Sequence, residues 1–356
     1  MTRTLARCTV LVCLGCLAVW GQQIVYSGRE YLKTGRSWFQ IREVDSVTGR
    51  RIQITTSAKD HQKPWCAPDG RSLLFTSGNI GNWRTLSTFN RVTHAESRVI
   101  QLEGDLFQIT GTVGVNQIAV EEYGGIIEII DLARKIKVRR LEGVRAAISP
   151  DRQFLAWETR TDILASPRQV SHVMLSRLNG ADPLDLGEGA APAFLRDGKT
   201  LLFARLDFAE PSVTLVRYDL RTANTQQQIT REAEFIFGVS LTVSPDGTTA
   251  ILGGDTGGHG SGEYWRLSKD FTWVAFDENL DTWGGWSPDG RLVYSTDGHY
   301  ALRDLDSKRT VWSSDVKVFD SRGNSVRTLV SGISQNADAN WCLADVGDVA
   351  SPQAVH

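Results

Sequence analysis

The chain has 356 residues, 41% of them hydrophobic, and its 39 Lys and Arg residues nearly balance 41 Asp and Glu residues to give a net charge of −2. This composition is typical of a globular protein and excludes a disordered or collagen-like chain. The balance of charges argues against a nucleic-acid partner, which usually requires a basic excess, and the length suits two average domains or one large all-β domain.

The N-terminus has the three-part pattern of a secretory signal peptide. It opens with MTRTLAR, which carries two arginines and no acid, continues with an apolar run over 8–20, and reaches the small residue Gly21. The run is short for a membrane-spanning helix, which needs about 20 residues. We therefore predict a signal peptide at 1–21 and a periplasmic or secreted protein without a transmembrane segment. The alternative is a lipid anchor at Cys16, against which Cys13 argues because such signals usually carry Leu there.

A repeated turn follows along the chain. Five copies share a Pro-Asp-Gly-like turn between apolar stretches, and their aspartates are Asp69, Asp151, Asp197, Asp246 and Asp289. Pro, Asp and Gly suit successive positions of a type I turn, so each copy predicts strand, turn, strand. The first spacing is about twice the others, which predicts a degenerate copy at 109–123.

A second pattern, an alternating apolar segment, a polar turn and another strand, follows most copies. It occurs at 39–56, 127–143, 215–230 and 315–332. Four strands in a unit of about 45 residues are typical of a β-propeller blade. The sequence therefore predicts an all-β protein that forms a single β-propeller.

The two ends of the repeat array complement each other. The segment after the signal supplies the second to fourth strands of a blade, and 336–350 supplies an isolated first strand. A C-terminal strand that joins the N-terminal blade would close the ring and remove two open sheet edges. We predict about seven four-stranded blades over 22–350, with a tail at 351–356. Eight blades would require 299–314 to be a half-blade instead of an inserted hairpin, and six would require the degenerate copy to be misassigned.

The copies WSPDGRLVYST and CAPDGRSLLFTS, with hairpins such as VFDSRGNSVRTL, resemble the WD40-like PD40 repeat of TolB-type propellers. The resemblance covers 22–350. It implies a TolB-like propeller fold and leaves function open, because one fold hosts many functions.

Candidate ligand-binding residues lie where the repeat is broken, at 78–90, 161–171, 253–264 and 297–314. They are Trp83, which has a loop-like setting, Asp255, His259 and Glu263 in a glycine-rich stretch, and His299. Exposed loop residues without a function are the alternative. We expect the paired acids Glu121 and Glu122 to lie on a solvated strand face.

Catalytic motifs are missing from the sequence: it contains neither a G-x-S-x-G elbow nor a local zinc motif. We therefore predict no catalytic residues and no cofactor. A divalent metal held by His259 and His299 from separate blades is the alternative.

Two cysteines, Cys66 and Cys342, remain after the signal. Both replace the motif tryptophan on the innermost strands of neighbouring blades, on either side of the ring closure. A disulfide between them would join the two ends of the ring. Two small buried apolar side chains are the alternative, since equivalent positions on neighbouring blades can lie farther apart than the ~7 Å that a disulfide spans.

The functional hypothesis is a non-catalytic, exported propeller scaffold that binds a protein or a glycan in the cell envelope. The alternative is an enzyme, a polysaccharide lyase or hydrolase, whose site is assembled across blades. We expect such an enzyme to bring at least three His, Tyr, Arg, Glu or Asp side chains together at one channel mouth, with a perturbed pKa among them.

Overall fold

The computed structural model describes residues 23–30, 37–67, 70–79, 82–160, 170–180, 182–232, 237–255, 262–267, 273–275, 280–287, 290–296, 299–302, 310–320, 325–331 and 334–342. Every regular element in these residues is a β-strand. The predicted signal peptide and C-terminal tail lie outside the described residues, so their boundaries stay predictions.

Thirty strands follow one another along the described chain. They are β1 Gln23–Glu30, β2 Gln40–Asp45, β3 Arg51–Gln53, β4 Asp60–Cys66, β5 Ser72–Asn79, β6 Asn82–Asn90, β7 Glu96–Gln101, β8 Leu106–Gly114, β9 Gln117–Glu122, β10 Ile126–Asp131, β11 Ile136–Glu142, β12 Val144–Ile148, β13 Phe154–Glu158, β14 His172–Arg177, β15 Leu184–Glu188, β16 Ala190–Phe194, β17 Thr200–Asp207, β18 Ser212–Asp219, β19 Asn224–Glu232, β20 Phe237–Val243, β21 Ala250–Asp255, β22 Gly262–Leu267, β23 Trp273–Ala275, β24 Leu280–Trp286, β25 Leu292–Thr296, β26 His299–Leu302, β27 Thr310–Ser313, β28 Val316–Phe319, β29 Ser325–Val330 and β30 Ser334–Trp341.

The described strands form seven four-stranded antiparallel sheets, which are the blades. From the innermost strand outward, blade 1 is β30-β1-β2-β3, blade 2 is β4 to β7, blade 3 is β8 to β11, blade 4 is β12 to β15, blade 5 is β16 to β19, blade 6 is β20 to β23, and blade 7 is β24-β25-β28-β29. The degenerate copy forms β8 and β9 of blade 3, as predicted. The predicted insert in blade 7 is the separate hairpin β26-β27, so it adds no eighth blade.

The C-terminal strand completes the N-terminal blade. Strand β30 pairs antiparallel with β1, with Ile24 opposite Trp341 and Glu30 opposite Ser334. It also lies against β24 of blade 7 and β4 of blade 2. This confirms the predicted closure, which pairs the strand edges at both ends of the chain.

The hydrophobic core lies in layers between neighbouring blades. In one layer, Ala156 and Val173 of blade 4 pack against Phe203 and Val216 of blade 5. In another, Val25 and Ile41 of blade 1 pack against Phe75 of blade 2. In the described residues, such layers cover both faces of blades 1 to 5, as their alternating apolar residues require.

The three repeated aspartates in the described residues, Asp151, Asp197 and Asp246, form hydrogen bonds within their own turns. In blade 6, the Asp246 carboxylate accepts hydrogen bonds from the Ser244 hydroxyl and the Thr248 amide, and these two bonds lower its pKa. Gly247 takes φ +70°, a conformation that favours glycine. The repeat is therefore architectural, because its polar groups are consumed in local turn bonds.

Candidate functional face

The strand order sorts the connections onto two faces of the propeller. Within each blade, the first-to-second and third-to-fourth connections share one face, because consecutive antiparallel strands reverse direction. We call this the turn face, since it carries the Asp-Gly turns. The second-to-third connections and the links between blades share the other face, which we call the loop face.

All four irregular segments of the sequence involve second-to-third connections, so their strand ends meet at the loop face. Strand β5 ends at Asn79, β13 at Glu158, β21 at Asp255 and β25 at Thr296. Sequence spacing alone left these segments unrelated. The alternation of strand direction places them on one side of the molecule, where function concentrates on loops carried by a rigid scaffold.

The five predicted ligand-binding residues have different surroundings. Asp255 ends β21 and Glu263 lies opposite Gly254 on β22, so both stand at the loop-face end of one hairpin. His299 begins β26 opposite Ser313. His259 lies outside the described residues. Ligand binding by these four stays a prediction.

Trp83 lies in strand β6, and the prediction of a loop-like setting was wrong. Its amide pairs with the Asp105 carboxylate at 3.0 Å, in the link between blades 2 and 3. This bond holds the start of β6 against the neighbouring blade, which the sequence pattern does not show. The side chain is half-buried.

The innermost strands carry bulges toward the loop-face end of the channel. In four blades a residue with a left-handed φ of 51–56° occupies the bulge, and these residues are Lys63, Arg145, Ala191 and Asp338. A side chain in this conformation costs on the order of 1 kcal/mol, so neighbouring groups must hold it in place.

Carboxylates from the preceding blade hold three of these bulges. The amide of Lys63 donates to Asp338, that of Arg145 to Glu121 at 2.7 Å, and that of Ala191 to Glu158 at 2.6 Å. Lys63 also reaches Asp338 through its ammonium group at 2.7 Å. The acids therefore join one blade to the next.

An ionic cluster lies beside these bulges. Arg145 Nη1 is 3.3 Å from both oxygens of Glu158, and Arg160 Nε is 3.6 Å from Glu158 Oε2. Burial raises the pKa of Glu121, against the opposing effect of its bonds to Arg145 and Gln108. Burial also lowers the pKa of Arg160, which Glu158 opposes.

Three charged side chains lie as close together here as we expect in an enzyme site. They are almost fully buried, however: Arg145 is 6%, Glu158 0% and Arg160 2% exposed. Its carboxylates are occupied by backbone amides of the next blade. The expectation of solvated acids at Glu121 and Glu122 was wrong, because both are buried. The arrangement supports packing between blades better than contact with a substrate.

A second buried acidic pair supports the link between blades 2 and 3. Glu122 accepts a hydrogen bond from the Gly104 amide, and Glu128 lies 2.7 Å from the Lys137 ammonium. Burial, followed by the nearby Glu128 carboxyl, raises the pKa of Glu122 from 4.5 to about 7. The link that Glu122 holds also contains Asp105, which binds the Trp83 amide.

Among the described residues, His, Cys, Asp and Glu side chains form no group of three that could hold a metal ion. The described part of the chain also contains no helix long and apolar enough to cross a membrane. The proposed metal pair, His259 and His299, includes one residue outside this part.

The sequence matches no family model, and it matches no curated protein. Solved structures resemble the fold. The crystal structure of TolB from Acinetobacter baumannii has a TM-score of 0.50 and 14% identity, with 91% of this chain and 67% of that chain covered. An oligogalacturonate lyase in complex with manganese has a TM-score of 0.53 and 13% identity, with 73% of this chain and 80% of that chain covered.

The chain has the fold of a TolB-like β-propeller. At these identities the likeness shows the fold alone, and one fold hosts many functions. The function of the TolB-like propeller therefore has to be inferred from the side chains on its surface.

The loop face of blades 3 to 5 exposes a large apolar side chain from each second-to-third connection. Tyr123 is 36%, Val170 66% and Phe208 38% exposed. Tyr123 packs edge-on against Phe107 with ring centroids 5.2 Å apart, and the Lys63 ammonium lies over that ring. We call these three side chains the aromatic patch, and through Tyr123 it reaches Phe107 on the innermost strand of blade 3.

Breaks in the repeat do not reveal Tyr123 and Phe208, because both residues lie in short connections. The available signal was an aromatic residue between the second and third strands of a blade. That signal has meaning only after the blade boundaries are known.

A disulfide links the innermost strand of blade 2 to the end of β30. The Cα atoms of Cys66 and Cys342 are 5.1 Å apart. Beside it, Arg91 of blade 2 donates to Gln23 at 2.8 Å and pairs with Glu43, both of blade 1. Of the two interpretations that the sequence left open, the structure has the bonded one.

Proposed function

We propose that this TolB-like propeller is an exported, non-catalytic scaffold that binds a protein or a glycan in the cell envelope through its loop face. The observation that carries the proposal is the row of exposed apolar side chains in three consecutive blades, Tyr123, Val170 and Phe208. Rigid aromatic anchors dominate the energetics of many interfaces. The irregular connections of the same face supply further contact surface.

The proposed partner is recognised by an apolar centre with charged surroundings. Arg84 and Glu103 lie near the aromatic patch, at the start of β6 and in the link between blades 2 and 3, with their side chains 47% and 56% exposed. An apolar centre with a polar rim is the usual composition of a protein interface. The same combination also suits a glycan, whose rings stack on aromatic faces while its hydroxyls meet charged groups.

The proposal is tested with a Tyr123→Ala, Phe208→Ala double variant and a matched control. The control is Val92→Ala with Val115→Ala, which removes two exposed apolar side chains of the turn face. Binding is measured to envelope proteins and to a panel of soluble glycans. We expect binding to weaken at least tenfold in the loop-face variant and to persist in the control. Equal loss in both variants, or no loss in either, would contradict the proposal.

The enzyme alternative has a separate test. A polysaccharide lyase or hydrolase would shorten acidic or neutral polysaccharides, so the purified protein is incubated with each, with and without a divalent cation. Chain cleavage that needs Asp255, His259, Glu263 or His299 would replace the scaffold proposal. Unchanged chain length with retained binding supports the scaffold.

Export rests on the N-terminal sequence pattern. The protein is expressed in a bacterial host and the mass of its N-terminal peptide is measured. A mature chain that begins at Gln22 supports periplasmic or secreted localisation. An acylated N-terminus at Cys16 would support the lipid-anchor alternative instead.

A further inference from the structure

A cavity of about 480 Å³ lies on the face of blade 2 that packs toward blade 1. Strands β5, β6 and β7 form its walls, together with the link that enters blade 2 from blade 1. Five hydroxyl side chains line it: Ser57, Ser77, Thr85, Ser87 and Ser97. Its volume falls within the range of about 300–1,000 Å³ that is usual for small-molecule sites.

The cavity exists because apolar side chains on this face of blade 2 give way to small hydroxyl side chains. Toward the turn face, Phe75 of blade 2 packs against Val25 and Ile41 of blade 1. Ser87, which lies opposite Phe75, and Ser77, which lies nearer the loop face, are 2% and 3% exposed, and their hydroxyls stand 3.1 Å apart. Small side chains at this position leave space that larger ones would fill.

The position that Ser87 occupies in blade 2 holds an apolar residue in other blades. Ser87 pairs with Phe75, the residue opposite the bulge of blade 2. In blades 4 and 5 the residues paired in the same way are Met174, opposite Trp157, and Val216, opposite Phe203. Packing alone therefore favours a larger apolar residue here, and burying a hydroxyl instead costs free energy.

Charged groups line one side of the cavity. The Lys59 ammonium lies 2.7 Å from Glu96 Oε1, and Arg98 also lines the cavity. The Nε2 atom of buried His61 is hydrogen-bonded to the Ser57 hydroxyl at 3.2 Å and lies 3.5 Å from Glu96 Oε2. Two cationic side chains and one carboxylate give this lining a net charge of +1.

We propose that this cavity binds a small polyhydroxylated ligand that carries an anionic group, as a sugar acid or a sugar phosphate does. Hydroxyls both donate and accept hydrogen bonds, so the serine and threonine side chains match the hydroxyls of such a ligand. Lys59 and Arg98 balance its anionic group. The site is separate from the aromatic patch on the loop face, and its ligand need not belong to the macromolecular partner.

The test measures binding of four probes by titration calorimetry: glucuronate, glucose 6-phosphate, glucose and inorganic phosphate. We expect one or both charged sugars to bind at least tenfold more tightly than glucose and than phosphate. Equal binding of phosphate would reduce the cavity to an anion site and overturn the proposal. Failure of both charged sugars to bind at millimolar concentration would also overturn it.

Two variants locate the binding. Ser87→Val places in blade 2 the residue that blade 5 has at this position, so it keeps or raises the urea midpoint of unfolding while it fills the cavity. We expect it to reduce affinity at least tenfold, and retained affinity would show that the ligand binds elsewhere. Lys59→Gln is expected to reduce the preference for charged over neutral sugars. The matched control is Thr214→Val, which removes an exposed hydroxyl on blade 5 and leaves binding unchanged.

Discussion

The disulfide between Cys66 and Cys342 should contribute a large part of the stability of this propeller. It joins residues separated by 276 positions, so it restricts almost the whole unfolded chain. In the chain-entropy model a loop of this length corresponds to roughly 5–6 kcal/mol, and measured values for native disulfides usually fall at about 2–5 kcal/mol. We expect a Cys66→Ala, Cys342→Ala double variant to lose about 2–5 kcal/mol of unfolding free energy.

The assay is urea unfolding followed by tryptophan fluorescence. The matched control is the wild-type protein in reducing agent, which breaks the bond and keeps both sulfur atoms in place. Each single variant should lose about as much as the double variant, because either change removes the whole cross-link. Arg91, which donates to Cys342 Sγ at 3.4 Å, should keep its contacts with Gln23 and Glu43 in all of these proteins.

An unfolding midpoint that stays unchanged after reduction and in the double variant would refute the stabilising role of the disulfide. In that case the antiparallel pairing of β30 with β1 would close the ring without covalent help. A loss confined to the alanine variants would indicate that side-chain packing, and not the cross-link, stabilises the seam.

Two further predictions concern the buried acids. The pKa of Glu122 is higher in the folded protein than its ordinary value of 4.5, so its contribution to stability is lost as the pH rises from about 4.5 to about 7. The loss of unfolding free energy over this pH range is roughly 3 kcal/mol. Glu122→Gln should therefore flatten the pH dependence of the urea midpoint of unfolding. An unchanged pH dependence in this variant would contradict the raised pKa of Glu122. Glu158→Ala should cost about 3–5 kcal/mol, because it leaves Arg145 and Arg160 buried without their shared partner, whereas a loss below about 1 kcal/mol would contradict the role of the cluster.

The turn chemistry and the strand alternation made the architecture readable from the sequence. Pro-Asp-Gly turns and period-2 patterns depend on neighbours within a few residues, so the blades, the degenerate copy in β8 and β9, and the inserted hairpin β26-β27 were all predictable. The closure by β30 was predictable too, because an unfinished blade at one end and a lone strand at the other complement each other.

The features of the candidate site could not be predicted in this way, because they depend on distances between residues far apart in the sequence. The sequence indicated two cysteines near the closure, and only the approach of β30 to β4 decided that they bond. Glu121 and Glu122 looked like solvated acids on a strand, but Glu121 is buried against a bulge of the next blade and Glu122 against the link between blades 2 and 3. Trp83 looked like a loop residue, and the link between blades fixes it in β6.

The sequence by itself therefore determined the repeat, the strand order and the ring, because each follows from short-range pattern and from the need to pair open strand edges. Only the tertiary structure decided which connections share a face, which acids are buried and where serines leave a cavity on blade 2. The physical reason is that those properties arise between blades, where residues separated by tens or hundreds of positions meet.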